Sequence, residues 1–287
     1  MYKRQIREDG HCIEHADSAH IRIEQKSDRS GLNLYIDSFT KGESVYIPVC
    51  ITGGGIEETV TNDFYIDSGA EVTIIAGCGM HCGEGETSAH HGIHRFYLGD
   101  HANVIYLEEH LGTGSAKANR KMNPESILEL EKGAVLQMTS NQRGGVESAL
   151  RWVRARLQEE SLLIVRESIL TERSQSVHSD FDILLEGTSC RADLVSRAVA
   201  RHRSRQQFHS RVCASAKSSA HSACDAILMG SGSVSAVPAL TARHPEAVLI
   251  HEAAIGKIAE EQIAKLMTLG LSRAKAEEVI LEGFLQL

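Results

Sequence analysis

The chain has 287 residues, 42% hydrophobic and 24% charged, with a formal net charge of −8. That balance belongs to a globular protein, and the acidic excess disfavours general binding to nucleic acid, which needs clustered cations. There is no run of eighteen apolar residues and no apolar stretch behind MYKRQIREDGHC, so the expectation is a soluble, cytoplasmic protein with no membrane span and no leader. The seven cysteines are odd in number and unevenly spread, which fits free thiols or metal ligands in a reducing compartment better than a disulfide framework.

Residues 1–29 mix charge and histidine with little apolar content and are expected to form an N-terminal tail or cap. From residue 30 to 252 the chain repeats. Short apolar runs in period-two alternation each follow a polar or glycine-bearing corner: GESVYI, SGAEVTI, DHANVIYL, KGAVLQM, EESLLIV and EGTSCRADL. The small corner residues Ser44, Ala70, Ala102, Ala134, Ser161 and Thr188 recur every 26 to 32 positions. Strands and tight corners at such a spacing predict a solenoid of stacked coils, best met by a parallel β-helix. A β-sandwich, which also has regular short strands, stands as the rival.

Within the repeat, GCGMHCGEGETSAHHGIH at 77–94 holds two cysteines, four histidines and five glycines. Cys78, Cys82, His90 and His94 could supply the two thiolates and two imidazoles of a tetrahedral zinc site. Seven residues separate Cys82 from His90, fewer than a zinc finger requires, and the bland reading is a loop whose polar side chains face water. Further on, ARHRSRQQFHSR would line Arg201, Arg203 and Arg205 on one face of a regular strand, with Phe208 free to stack on a base. A solvated face or a seam for an acidic partner is favoured over an RNA groove there, because one patch on an acidic chain releases few counterions. The glycine pairs in GTGS (112–115) and GSGS (230–233) lack a following strand–turn–helix pattern, and no GxxxxGK[ST], GxSxG or HExxH motif occurs. No catalytic residues are assigned, and any nucleotide is expected to be bound elsewhere than on this chain.

Residues 253–287 change to helical period. Ile263, Leu266 and Met267 share one face, as do Ala276, Val279 and Ile280, with Gly270 as a helix stop and Ser272 as the next N-cap, so a helical hairpin is expected. From Lys257 onward there are four basic and five acidic side chains, which disfavours a DNA-reading helix pair. A solenoid cap or a small docking module remains.

The last quarter, from ACDAILMGSGS through HPEAVLIHEAAIGKI to the two-helix tail ending in EGF, resembles the end of the SufB/SufD family of iron–sulfur cluster assembly scaffolds. The stretch closing on HHGIHRFYLG is similar to short members of that family from minimal two-component systems. The resemblance spans roughly residues 30–287. It implies a right-handed parallel β-helix, mainly β, with a C-terminal α-helical segment that docks a SufC-like ABC ATPase. Docking would then fall to Ile263, Leu266, Met267, Val279, Ile280 and Phe284.

It also implies pairing through the ends of the β-helices, as a homodimer or as a heterodimer with a SufB/SufD homologue, and exchange with a sulfur donor and apo iron–sulfur recipients. The interface cluster ligands carry over onto His251 and Glu252. Where long SufB chains carry a cysteine, this sequence has Ser231, Ser233 and Ser235, so Cys224 is the expected replacement ligand or sulfur acceptor. Its bland reading is a small core residue. Alternation places His251 and Glu252 on opposite strand faces unless the chain turns or two subunits contribute. A transient cluster of unspecified type would be the cargo, with Cys78, Cys82, His90 and His94 as a secondary site for iron or zinc. The alternatives are a SufD-like structural partner without a cluster and a zinc-binding solenoid unrelated to sulfur.

Overall fold

The structure, a computed structural model, describes residues 3–286. The chain opens with a hairpin of β1 (Lys3–Glu8) and β2 (His11–Ala16), then β3 (Ile21–Gln25) and β4 (Leu32–Ile36). Both of these pairs are antiparallel. From there strands alternate between two walls: β5 (Lys41–Ile51), β6 (Glu57–Ile66), β7 (Glu71–Cys82), β8 (Thr87–Leu98), β9 (Asn103–Gly114), β10 (Asn119–Met122) with β11 (Glu125–Leu130), and β12 (Val135–Arg143). The alternation continues through β13 (Ser148–Leu157), β14 (Leu162–Thr171), β15 (Ser176–Leu185), β16 (Arg191–Ala200), β17 (Arg205–Ala214), β18 (Ser219–Leu228), β19 (Ser233–Ala242) and β20 (Val248–Gly256). One wall runs β2-β1-β5-β7-β9-β12-β14-β16-β18-β20, and the other runs from β19 back to β3, with β10 and β11 both bridging β8 and β13. Every coil-to-coil pairing from β4 onward is parallel, so the molecule is a parallel β-solenoid and the antiparallel sandwich is excluded.

Strict alternation builds this solenoid, because each strand sends every second side chain into a narrow shared lumen. Ile36, Ile66, Leu98, Leu130, Leu157 and Leu185 stand in register as one buried ladder. Burying each such side chain stabilises the fold by about 1.5–3 kcal/mol, which a single coil could not gain alone. The corner positions are Thr40, Ala70, Ala102, Ala134, Ser161 and Cys190, all buried at 1% exposure or less.

Two corners thus differ from the sequence reading. Ser44 lies inside β5, where a register shift between Lys41 and Glu43 displaces the motif, and Thr188 sits in the turn before Cys190. At five of these six corners the residue ahead is left-handed whether or not it is glycine: Gly69, His101, Gly133, Glu160 and Ser189 have φ of 72, 57, 64, 58 and 61°. The glycine of GTGS has a packing role. Gly112 and Gly145 pass backbone to backbone, and a Cβ on either would lie 1.9 Å from the other's carbonyl oxygen.

The arginine stretch is not a face. Arg201 and Arg203 fall in the turn before β17, Arg201 pairs with Glu172 at 3.0 Å, and Phe208 is buried against Phe181 at 5.3 Å between ring centroids. Inward parity at 208 overrides the aromatic's availability for stacking on a base.

The chain ends in α1 (Glu260–Thr268) and α2 (Arg273–Leu285). Ser272 caps α2 by accepting the Lys275 N–H, and Gly270 (φ 93°) turns the chain between the helices. Arg197 on β16 donates to the carbonyls of Phe284 (3.0 Å) and Gln286 (2.6 Å), tying the end of the hairpin to the outside of the solenoid. No helix among the described residues is long and apolar enough to cross a membrane.

Candidate functional site

The lumen is not uniformly apolar. On the wall containing β9, the inward positions Glu108, Ser140, Glu167, Ser196 and Cys224 occupy one register row, coil after coil. Glu108 accepts from Tyr106 Oη at 2.9 Å and from Ser140 Oγ at 3.0 Å. Arg151, from the opposite wall, donates to Glu167 at 2.8 Å and to His110 Nδ1 at 3.1 Å, contacts Ser140, and lies 3.6 Å from Glu108. Ser179 and Ser196 donate to Glu167 at 2.9 and 2.8 Å. Two carboxylates thus share one guanidinium inside a protein, a costly arrangement held by near-complete hydrogen bonding.

Burial sets the protonation of this seam. His94 and His110 are each pushed down to about 4 by desolvation, so both are neutral at pH 7. His94 Nδ1–H accordingly donates to Tyr106 Oη (2.6 Å) while Nε2 accepts from Asn62 (3.2 Å). Burial alone would raise Glu108, but His110, Arg151, His94 and the Tyr106 hydroxyl outweigh it and hold the carboxyl at about 2.

The 77–94 segment is two strands, not a water-facing loop. Cys78 and Cys82 point inward from β7 with Met80 between them, and burial raises the Cys78 thiol far above its ordinary range. Cys78, His90, His94, Glu108 and His110 line a cavity of about 20 Å³, room for about one water-sized guest. His90 is tied to Glu58 at 2.9 Å, and Cys82 is not among the residues lining that space. Among the described residues one set of three or more ligand types has all its ligand atoms within 4.8 Å of one another, and it is a different one: His178, Asp180 and His209.

At the far end of the row, Cys224 is fully buried in β18, and its thiol is pushed up to about 12 by burial, with Glu167 and Asp225 adding to it. His251 on β20 also faces the lumen, with Nδ1 3.3 Å from Ser222 Oγ, one strand across and two residues along from Cys224. Desolvation lowers its pKa. Glu252 points outward, as alternation requires, and meets His221 Nε2 at 3.0 Å. His221 in turn bonds Asp193 at 2.9 Å, the main cause of its raised pKa, with Glu252 contributing, and Asp193 pairs with Arg166. One chain therefore brings Cys224 and His251 to one lumen and leaves Glu252 on the other side of the wall. Ser233 and Ser235 are exposed on β19, whose inner face offers Val234 and Ala236 instead.

The last coil is open. β19 and β20 each have a neighbour on one side only, and their inward Leu240 and Ile255 remain 37% and 40% exposed. In the hairpin Ile263 is buried, Leu266, Ile280 and Phe284 are half-buried, and Met267 and Val279 are exposed.

Sequence reasoning missed Glu108, Arg151 and Glu167. The signal was present: each is a charge at an inward position of a run of alternating apolar residues, as in Val104, Tyr106, Glu108 or Leu163, Val165, Glu167.

Fold and interior define a class: a β-solenoid whose lumen carries charge and thiols and whose end is left open, in the manner of a scaffold. Residues 58–284 match the family model described as SUF system FeS cluster assembly, SufBD core domain, and the chain belongs to that family of iron–sulfur assembly scaffold proteins. It is 28% identical over 265 residues to an iron–sulfur cluster assembly SufBD family protein of Archaeoglobus fulgidus, covering 91% of this chain and 70% of that one. A relative of the same description from Methanothermobacter thermautotrophicus is 29% identical over 238 residues, 81% of this chain and 56% of its own length. A third, from Pyrococcus horikoshii, is 28% identical over 201 residues, 69% of this chain and 60% of that protein. The matched region thus spans 56–70% of the length of these three relatives.

Proposed function

We propose that this chain builds a nascent iron–sulfur cluster at its open end, where two solenoids meet, and passes the cluster to apo recipients in the cytoplasm. One observation carries the reading: the polar lumenal row ends on a thiol, Cys224, one coil beneath an uncapped rim that carries His251. Thiolate is the natural ligand for such a cluster, and imidazole or carboxylate suits the more labile position that a cargo in transit needs. At neutral pH the Cys224 thiol holds its proton, so ligation releases a proton as iron arrives. Its own chain directs Glu252 away from this lumen, so in this reading the carboxylate at the site comes from the second copy. The free edges of β19 and β20 with exposed Leu240 and Ile255 support end-to-end association, either with a second copy or with a homologue. ATP-driven opening falls to an ABC-type ATPase docked on the helical hairpin, whose Met267 and Val279 are exposed. All seven cysteines are free, as suits a reducing compartment.

Anaerobic reconstitution of Cys224→Ala, His251→Ala and Glu252→Ala, read as iron and acid-labile sulfide, tests the assignment. Each variant is expected to lose most of the load, and full loading in all three overturns it. A second reading, the SufD-like partner without a cluster, draws support from the absence of any thiol on the inner face of β19. In that case the wild-type chain stays colourless alone and colours only in complex with a thiol-bearing homologue.

A further inference from the structure

On the outer face of the wall opposite Glu252, His178 and Asp180 project from β15 and His209 from β17. We propose that these three side chains bind a divalent first-row transition metal ion, at a site separate from the cluster cargo. The ladder sets the geometry. Asp180 and His209 are direct partners, and His178 lies two residues before Asp180 on the same face, so the three ligands form a right-angled triangle on rigid backbone. His178 Nε2 is 3.2 Å and His209 Nδ1 3.9 Å from Asp180 Oδ2. Ligands about 2.0–2.1 Å from a tetrahedral ion lie about 3.3 Å apart, so small side-chain rotations close the set.

Three further observations favour a ligand over a plain ion pair. Asp180 is 6% exposed, yet its Oδ1 has no hydrogen-bond donor among the described residues, a costly state for a buried carboxylate. Among the described residues the one cation near that oxygen is Arg211, 3.5 Å away, half-exposed and also reaching Asp182 at 3.3 Å, so it can swing aside. Gln207 Oε1 accepts from His178 Nδ1–H at 3.0 Å, which leaves Nε2 as the ring nitrogen turned toward Asp180. Such an outer partner is typical of a metal-binding imidazole. Trp152 stands beside Asp180 and Val237 beside His209 in the same register row, and the two imidazoles are half-buried. Two imidazoles and one carboxylate on one face leave coordination positions free and suit zinc or ferrous iron.

The test is anaerobic titration of the metal-stripped full chain with Co2+, followed by displacement with Zn2+ and, separately, Fe2+. Wild type is expected to take one Co2+ whose spectrum has ligand-field bands but no thiolate charge transfer, which separates this site from any ion on Cys224 or Cys78. His209→Gln and Asp180→Asn should weaken that binding at least tenfold with unchanged circular dichroism, and Arg211→Ala should strengthen it several-fold. If Asp180→Asn does not fold, His209→Gln decides alone. Wild-type affinity in His209→Gln, or no thiolate-free Co2+ uptake by either wild type or Arg211→Ala, overturns the proposal. Cluster loading at Cys224 can fail or succeed without moving any of these readouts.

Discussion

The coils from β7 to β16 and the coil of β19 and β20 follow one strand repeat, yet they treat the same inward positions differently. In the middle, every edge is paired on both sides and the lumen seals Glu108, Arg151 and Glu167 from water. At the end, inward Leu240 and Ile255 meet solvent and His251 stands at the rim. A buried charge must be fully satisfied where it sits, whereas an open coil leaves its groups available to a partner. Stability and interaction are thereby divided along the axis of one solenoid.

The sharpest way to break this contrast is Arg151→Met. It leaves two buried carboxylates without their cation and should cost about 3–5 kcal/mol in denaturant unfolding, with removal of the end coil's exposed side chains costing far less. Next is pH. His94 and His110 have folded pKa values depressed to about 4, so below about 6.5 the unfolded chain binds protons that the folded chain refuses. Stability from these groups is complete above about pH 6.5 and is lost as pH falls toward 4, and Glu108, at about 2, adds a further loss below about 4.5. Melting temperature should fall continuously across that window, and His94→Gln should flatten its upper part.

At the open end the expectation reverses. Leu240→Lys or Ile255→Lys should change unfolding free energy by only about 0.5 kcal/mol, as for exposed positions, while abolishing self-association in sedimentation velocity. Retained dimers in both would remove the end coil as the interface. The smallest effect is Ser272→Ala, which removes the N-cap of α2 and should cost about 1 kcal/mol, confined to hydrogen exchange in the hairpin.

Much of the architecture was legible from the strands and corners. Ala70, Ala102, Ala134 and Ser161 are real buried corners, and Ser272 caps its helix as its residue type predicts. The misreadings at Ser44 and Thr188 came from a register shift and from a left-handed serine doing a glycine's work. For the site, alternation correctly separated His251 from Glu252. At 77–94, stacking brings Cys78, His90 and His94 to one small cavity and leaves Cys82 outside it, a division that closeness along the chain does not reveal.

Period-two alternation, the spacing of small corner residues and the switch to helical period are local properties, so the sequence by itself determined a stacked β-coil with a helical tail. Residues 27 to 32 positions apart become neighbours only when the coils stack. The row from Glu108 to Cys224, the shared Arg151 and the His178–Asp180–His209 triangle were therefore decided by tertiary register, because coil length, not sequence distance, chooses which side chains meet.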